Sequence, residues 1–244
     1  MQKRASPYWA CSTSEAGATL ASLRGDWGQV DLKRVASLEM AEEAHAFLTS
    51  RYREVGYHAS TPEENRERDW VALSAYLDGE VIGTITVGFD SGPGLLADLS
   101  YRVEVDSLRS AKRTPCEIIR LAVGKGSSSK RVLMALFHLA ASVYGAKLKS
   151  CTNILAEVDP ASANFYLRRL GFTRLGAEVA QGRAGGPIVL LNLDAVGHGT
   201  QKLQQFGGNP RMAKEERTMY PRLFSPEEER LVLSRIAALA QGVH

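Results

Sequence analysis

The sequence predicts an α/β fold, a mixed central sheet with helices on both faces followed by a C-terminal helical extension. Three stretches predict it. Thr114 to Val123 is an apolar run interrupted by Glu117 and Arg120, the pattern of a buried central strand. Lys130 to Tyr144 carries Val132, Leu133, Leu136, Leu139, Ala140 and Val143 at helical spacing, with serines ahead of it as caps and Gly145 as a stop. Val71 to Leu77 and Val81 to Phe89 flank Asp78-Gly79-Glu80, and Asp-Gly between two β-rich runs is a hairpin signal.

The remaining elements follow in order. Residues 1–29 are rich in Ser, Ala and Gly without a clear period and predict a flexible N-terminal arm. Val30 to Ala36 alternates as a first strand. Ser37 caps a helix from Glu39 to Val55, whose apolar face is Met40, Ala44, Phe47, Leu48, Tyr52 and Val55. The charged segment from His58 to Asp69 predicts a loop or a short exposed helix. Gly92 to Asp98 predicts a loop, Tyr101 to Asp106 fits no single period, and Ser107 to Arg113 predicts a basic connection. Thr152 to Val158 repeats the strand pattern, and Asp159-Pro160 opens a short helix, Ala161 to Leu170, that stops at Gly171. Thr173 to Val179 and Pro187 to Leu193 predict a second hairpin. The catalytic-type domain then spans 30–194, and 195–244 is an extension, irregular until Ser225 caps a helix at about 226–240.

Bulk properties narrow the function. The chain has 244 residues, 44% hydrophobic and 23% charged, and no apolar run approaches the roughly 20 residues needed to cross a bilayer. Met1 to Gly17 lacks the apolar core of a secretory signal, and three unevenly spaced cysteines, Cys11, Cys116 and Cys151, fit a reducing, cytoplasmic setting. A net charge of +3 is too mild for a dedicated nucleic-acid binder but leaves room for an acidic partner. Five histidines show no ligand spacing and no Cys-x-x-Cys occurs, so no metal is expected. Neither a Gly-x-Ser-x-Gly elbow nor a Gly-x-Gly-x-x-Gly turn is present.

The element order, with Asn164-Phe-Tyr-Leu-Arg-Arg-Leu-Gly-Phe172 after a strand, resembles the GNAT (acyl-CoA N-acyltransferase) fold. Arg51 to Tyr57, Arg68-Asp69-Trp70, Gly83 to Thr86, Gly94 to Asp98, Asp106 to Arg109 and Glu117 to Val123 are together similar to the N-acyl amino acid synthases, relatives of the acyl-homoserine-lactone autoinducer synthases. The resemblance covers about residues 30 to 194. It implies transfer of a medium or long acyl chain to the amino group of an amino acid or similar small amine. Coenzyme A-dependent members use an Arg/Gln-x-x-Gly-x-Gly/Ala turn whose bare amides hold a pyrophosphate. Here those positions are Ser128, Arg131 and Leu133, which crowd a pyrophosphate but suit the single phosphodiester of a pantetheine arm. The expected donor is therefore acyl carrier protein (acyl-ACP), with acyl-CoA as the alternative. Ser127, Ser128, Lys130 and Arg131 would meet that phosphodiester, no cofactor being held permanently. A coenzyme A-dependent acetyltransferase and a non-catalytic thioester sensor are the competing readings.

The resemblance also implies roles. Glu117 on a buried strand would be the general base, since burial raises a carboxylate's pKa, and Tyr166 the acid for the departing thiolate, although it stands five residues before Gly171 where typical members place it four before. Arg120 lies three residues after Glu117, on the opposite face of a regular strand; a β-bulge would bring the two together, whereas a regular strand would aim Arg120 at a substrate carboxylate or at the first helix. A buried Glu-Arg pair with no catalytic part is the structural alternative. Backbone amides from Leu121 to Val123 would polarise the carbonyl. Arg51 and Asp69 would shape the acceptor pocket, Trp70 would line the acyl site, and Asn164 belongs to the matching block.

Overall fold

The computed structural model describes residues 17–58, 68–126, 128–183 and 185–241. Its strands are β1 (Thr19–Gly25), β2 (Gly28–Arg34), β3 (Trp70–Leu77), β4 (Glu80–Phe89), β5 (Pro115–Val123), β6 (Asn153–Val158), β7 (Thr173–Arg174) and β8 (Val189–Asp194). They make one sheet in the order β1-β2-β3-β4-β5-β6-β8-β7, in which only β5 and β6 run parallel. On one face lie α1 (Leu38–Arg53) and α2 (Asp98–Ser110); on the other, α3 (Ser129–His138), which continues as Leu139–Leu148 in wider turns. After β6 comes α4 (Pro160–Phe165), and the extension holds α5 (Thr200–Phe206) and α6 (Pro226–Ala240).

Local chemistry explains the elements that the sequence predicts. In the β3–β4 hairpin Leu77 opposes Glu80, and the two residues between, Asp78 and Gly79, both have positive φ (51° and 87°), the geometry that matches strand twist and that Asp-Gly tolerates. The Ser37 side chain accepts the Met40 amide at the start of α1, which buries Ala41, Ala44 and Leu48. The Asp159 side chain accepts the Ser162 amide at the start of α4. α6 opens with a capping box between Ser225 and Glu228.

Four expectations are corrected. The arm predicted to reach residue 29 is a strand from Thr19: β1 pairs antiparallel with β2, with a register shift between Thr19 and Ala21 that hides the alternation. Gly92 to Ala97 is a loop as expected, but the stretch from Tyr101 to Asp106 that fits no single period and most of the basic connection after it belong to α2. Its apolar residues Leu99, Tyr101, Val103 and Val105 recur every second position, a strand period, yet only Tyr101 and Val105 are buried while Leu99 and Val103 face outward. Gly145 does not stop α3. It is buried within the continuing helix, where a Cβ would come 3.2 Å from Cys116 Sγ and 3.3 Å from Ile154 Cδ1. The second hairpin shrinks to β7 and β8 plus one bridge, Val179 with Ile188. The charged segment between His58 and Arg68 lies outside the described residues.

The extension is stapled to α3. Glu229 of α6 meets His138 Nε2 at 2.7 Å and Ser142 Oγ at 2.5 Å, while the Phe224 amide donates to His138 Nδ1. Arg235 of α6 donates to the carbonyls of Thr19 and Leu20.

Candidate active site

The parallel ladder between β5 and β6 ends at Ile118 opposite Ala156, although both strands run on. Beyond that point they diverge, and the fork opens a cavity of about 450 Å3. Its walls are Ile119 to Val123 of β5, Glu157 and Val158 of β6 with Asp159 after them, Arg51 and Tyr52 from the end of α1 with Val55 beyond it, and Tyr166. Leu121 and Val123 lie on an edge that has no ladder partner on the β6 side. Unpaired amides on such an edge are the donors a thioester carbonyl would need.

The bulge needed to aim Arg120 is present. Thr84 opposes Ala122 while Thr86 opposes Ile119, so β5 carries one residue more than β4, and Arg120 sits there with φ 53°. Ile119 and Arg120 consequently share the α1 face with Glu117. The Arg120 guanidinium lies 5.0 Å from the centre of the Trp70 ring, and Trp70 packs with Leu96 and Ile119 behind the cleft. Trp70 supports the wall rather than lining it.

Tyr166 reaches the cavity despite its irregular spacing. The turn Tyr166–Leu170 is widened, and the Gly171 amide bonds back to the Tyr166 carbonyl, an i→i+5 closure that absorbs one extra residue. Phe165 and Phe172 pack edge-on against the ring, at 5.6 and 5.4 Å between centroids. Burial pushes the phenol well above its ordinary range, so it stays protonated.

Other expected residues stand elsewhere. Glu117 is 2% exposed and does not line the cavity. Its two oxygens accept the Leu96 amide at 2.7 Å and the Ala97 amide at 3.0 Å, so it caps α2 only indirectly, by holding the turn that leads into the helix. Burial is the largest influence on its carboxyl and lifts it to about 7. Asp69 bonds Lys149 Nζ at 2.7 Å, near the start of β5 and away from the fork. Asn164 is exposed on α4. Arg51 lines the cavity but is paired with Glu54 at 2.5 Å, and Lys125 reaches the same carboxylate at 3.1 Å. The Glu54 carboxyl is held below the usual range, first by Lys125.

At the start of α3, Arg131 donates to the Arg222 carbonyl at 2.6 Å and approaches Glu228 at 3.8 Å. Both contacts tie it to the extension. Lys130 is exposed, Ser128 supplies no cap bond, and Ser127 lies outside the described residues. The residues that the sequence did not single out are Tyr52, read as plain helix face, and Glu157. The latter carried a usable signal, an acid between Ala156 and Val158 in a buried strand.

An open mixed sheet forked between two parallel strands, with α1 and α3 on opposite faces, defines a GNAT-fold acyltransferase. The chain belongs to the FeeM family of N-acyl amino acid synthases, whose profile matches residues 43–194. In fold it is similar to FeeM itself, an N-acyl amino acid synthase from uncultured soil microbes, with 19% identity, a TM-score of 0.62, and coverage of 69% of this chain and 91% of that one. Aminoglycoside 6'-acetyltransferase type Ii aligns at 12% identity and TM-score 0.45 over 67% of this chain and 96% of its own. RimJ from Mycobacterium smegmatis, in complex with CoA-disulfide, aligns at 15% and 0.44 over 72% and 87%. Among curated proteins nothing matches.

Proposed function

We propose that this chain moves a medium or long acyl chain from the phosphopantetheine thioester of acyl carrier protein to the amino group of an amino acid or similar small amine. The observation that carries the donor assignment is the start of α3. Arg131 and Leu133 occupy places where a pyrophosphate needs bare amides, and Arg131 is already engaged by the Arg222 carbonyl. A pantetheine arm asks only that one phosphodiester be met, which the exposed Lys130 can do. In the fork, the amine attacks the thioester carbonyl, the C–N bond forms as the C–S bond breaks, the Leu121 to Val123 edge polarises the carbonyl oxygen, and Tyr166 protonates the leaving sulfur. Cys116 and Cys151 are buried free thiols, in keeping with a reducing cytoplasm, and among the described residues no helix is long and apolar enough to cross a membrane.

The test incubates the protein with palmitoyl-carrier protein or palmitoyl-coenzyme A and the twenty amino acids, followed by mass spectrometry of lipid extracts. An N-acyl amino acid formed from the carrier donor is expected. Product from coenzyme A alone overturns the donor assignment, and a thioester held without turnover replaces the enzyme with a sensor.

A further inference from the structure

Beside the fork, a recess of about 100 Å3 opens between α1, β5 and the loop before β8. Tyr52, Arg120, Glu157 and Arg183 give it a polar lining, and Glu157 also borders the main cavity. Glu157 is the first residue of β6 past the last ladder pair, so it stands at the crotch of the fork. Its side chain is 7% exposed. Arg183 spends two donors, Nη2 at 2.8 Å and Nε at 3.2 Å, on the single oxygen Oε2. Oε1 is buried and has no hydrogen-bond partner among the described residues. Folded proteins seldom leave a buried carboxylate oxygen unmet, and where they do, a ligand donor is the natural complement.

The geometry points to this recess as the acceptor subsite, taking an α-amino acid, with Glu157 Oε1 as the base that receives the amine's proton. The inference rests on the transfer reading above and extends it. An N–H donor answers Oε1, and a carboxylate on the same ligand would meet the Arg120 guanidinium, which lines the recess together with His58. The acceptor's ammonium first gives one proton through Oε1 to solvent, which frees its lone pair; as the C–N bond then forms, a second proton passes from nitrogen to Oε1, while the thiolate expelled from the carbonyl carbon takes its proton from Tyr166. Solvent then returns a proton to Tyr166 and removes one from Glu157. Arg183 is a positioning residue that fixes which oxygen is presented. Glu117 is close enough to be felt electrostatically, but its oxygens are taken by backbone amides, which leaves Glu157 as the acid that faces both cavities.

The experiment compares wild type with Glu157→Gln, which keeps an oxygen for Arg183 and loses the base. Saturation-transfer NMR with an equimolar mixture of the twenty amino acids reads binding, and carrier-donor turnover reads chemistry. Loss of the wild-type amino acid signals is expected, with kcat down about 100-fold or more and the melting temperature kept. With hydroxylamine, an acceptor already neutral at neutral pH, the defect should shrink to under about tenfold. Should the glutamine variant fail to fold, Glu157→Asp replaces it, with a shortened reach and a kcat loss of about tenfold expected. Unchanged binding and turnover in a folded variant overturn the subsite. A wild type that binds amino acids through Glu157 but acylates none keeps the subsite and removes the transfer reading; wild-type acylation that survives without Glu157 does the reverse.

Discussion

His138 and Glu229 meet at 2.7 Å in the interior, one from α3 and one from α6. Because the Phe224 amide donates to Nδ1, the imidazole offers Nε2–H to the carboxylate. Burial would push the Glu229 carboxyl up, but hydrogen bonds from His138 and Ser142 outweigh it and hold the group below its ordinary value. A depressed carboxyl stabilises the fold above its unfolded pKa, and the benefit is lost as pH falls through the folded value. Glu229→Ala should therefore cost about 3 kcal/mol at neutral pH, roughly 6 to 12 °C in Tm. The difference from wild type should narrow below about pH 4. Thermal unfolding across pH checks this; a constant gap would mean that the carboxylate's charge is irrelevant.

Glu117 is the opposite case. Its folded carboxyl sits at about 7, above an unfolded value near 4.3, so the folded state binds more protons between the two. The group's contribution is fully present below about pH 4 and declines as pH rises to about 7, by at most roughly 4 kcal/mol. Glu117→Gln should flatten that limb of the stability curve. It should also destabilise the fold near pH 5, because an amide nitrogen must then confront the Leu96 or Ala97 N–H. Since Glu117 holds the turn before α2 without lining the cleft, turnover of folded Glu117→Gln should stay within about tenfold of wild type, short of the 100-fold that loss of a base costs.

The contrast between Glu117 and Glu157 shows how far the sequence reaches. Both are acids in buried strands, and nothing local separates them. The turn before α2 brings two amides to the first, and the end of the β5–β6 ladder exposes the second to the fork; both are non-local facts of register. What depended on neighbours in the chain was legible: the Asp78-Gly79 turn, the Ser37 and Ser225 caps, and the strand-to-helix passage from β5 to α3. α2 was not, because its outward Leu99 and Val103 imitate a strand. Nor were the places of Asp69 and Asn164, since matching a motif does not tell which end of the sheet a side chain faces. Tyr166 looked one residue out of place and is not, because a widened turn takes up the difference.

Tyr166→Phe isolates the proton given to sulfur. The ring's contacts with Phe165 and Phe172 survive the change, so stability and donor KM should hold while kcat falls about 100-fold. Because burial raises the phenol, wild-type activity should not decline near pH 10, where an ordinary tyrosine ionises. Stopped assays of kcat from pH 7 to 11 measure both. An unchanged kcat in the phenylalanine variant would assign the proton to water.

The last prediction concerns the carrier. Several cations available to an acidic protein are spent internally: Lys125 on Glu54, Lys149 on Asp69, Arg131 on the Arg222 carbonyl, and Arg169 on the Arg217 carbonyl. Lys130 at the start of α3 and Arg168 in the turn after α4 are exposed and carry no such bond among the described residues. Lys130 follows the end of β5 and Arg168 stands two residues past Tyr166, so both charges can steer a carrier toward the fork. Exposed rim charges act mainly on encounter and little on chemistry. The Lys130→Glu, Arg168→Glu double variant should therefore raise KM for acyl carrier protein about tenfold, with kcat unchanged and the effect fading as salt screens it. The same variant should treat a short acyl-pantetheine donor as wild type does. Equal losses with both donors would show that the two charges act on neither the carrier nor its phosphodiester.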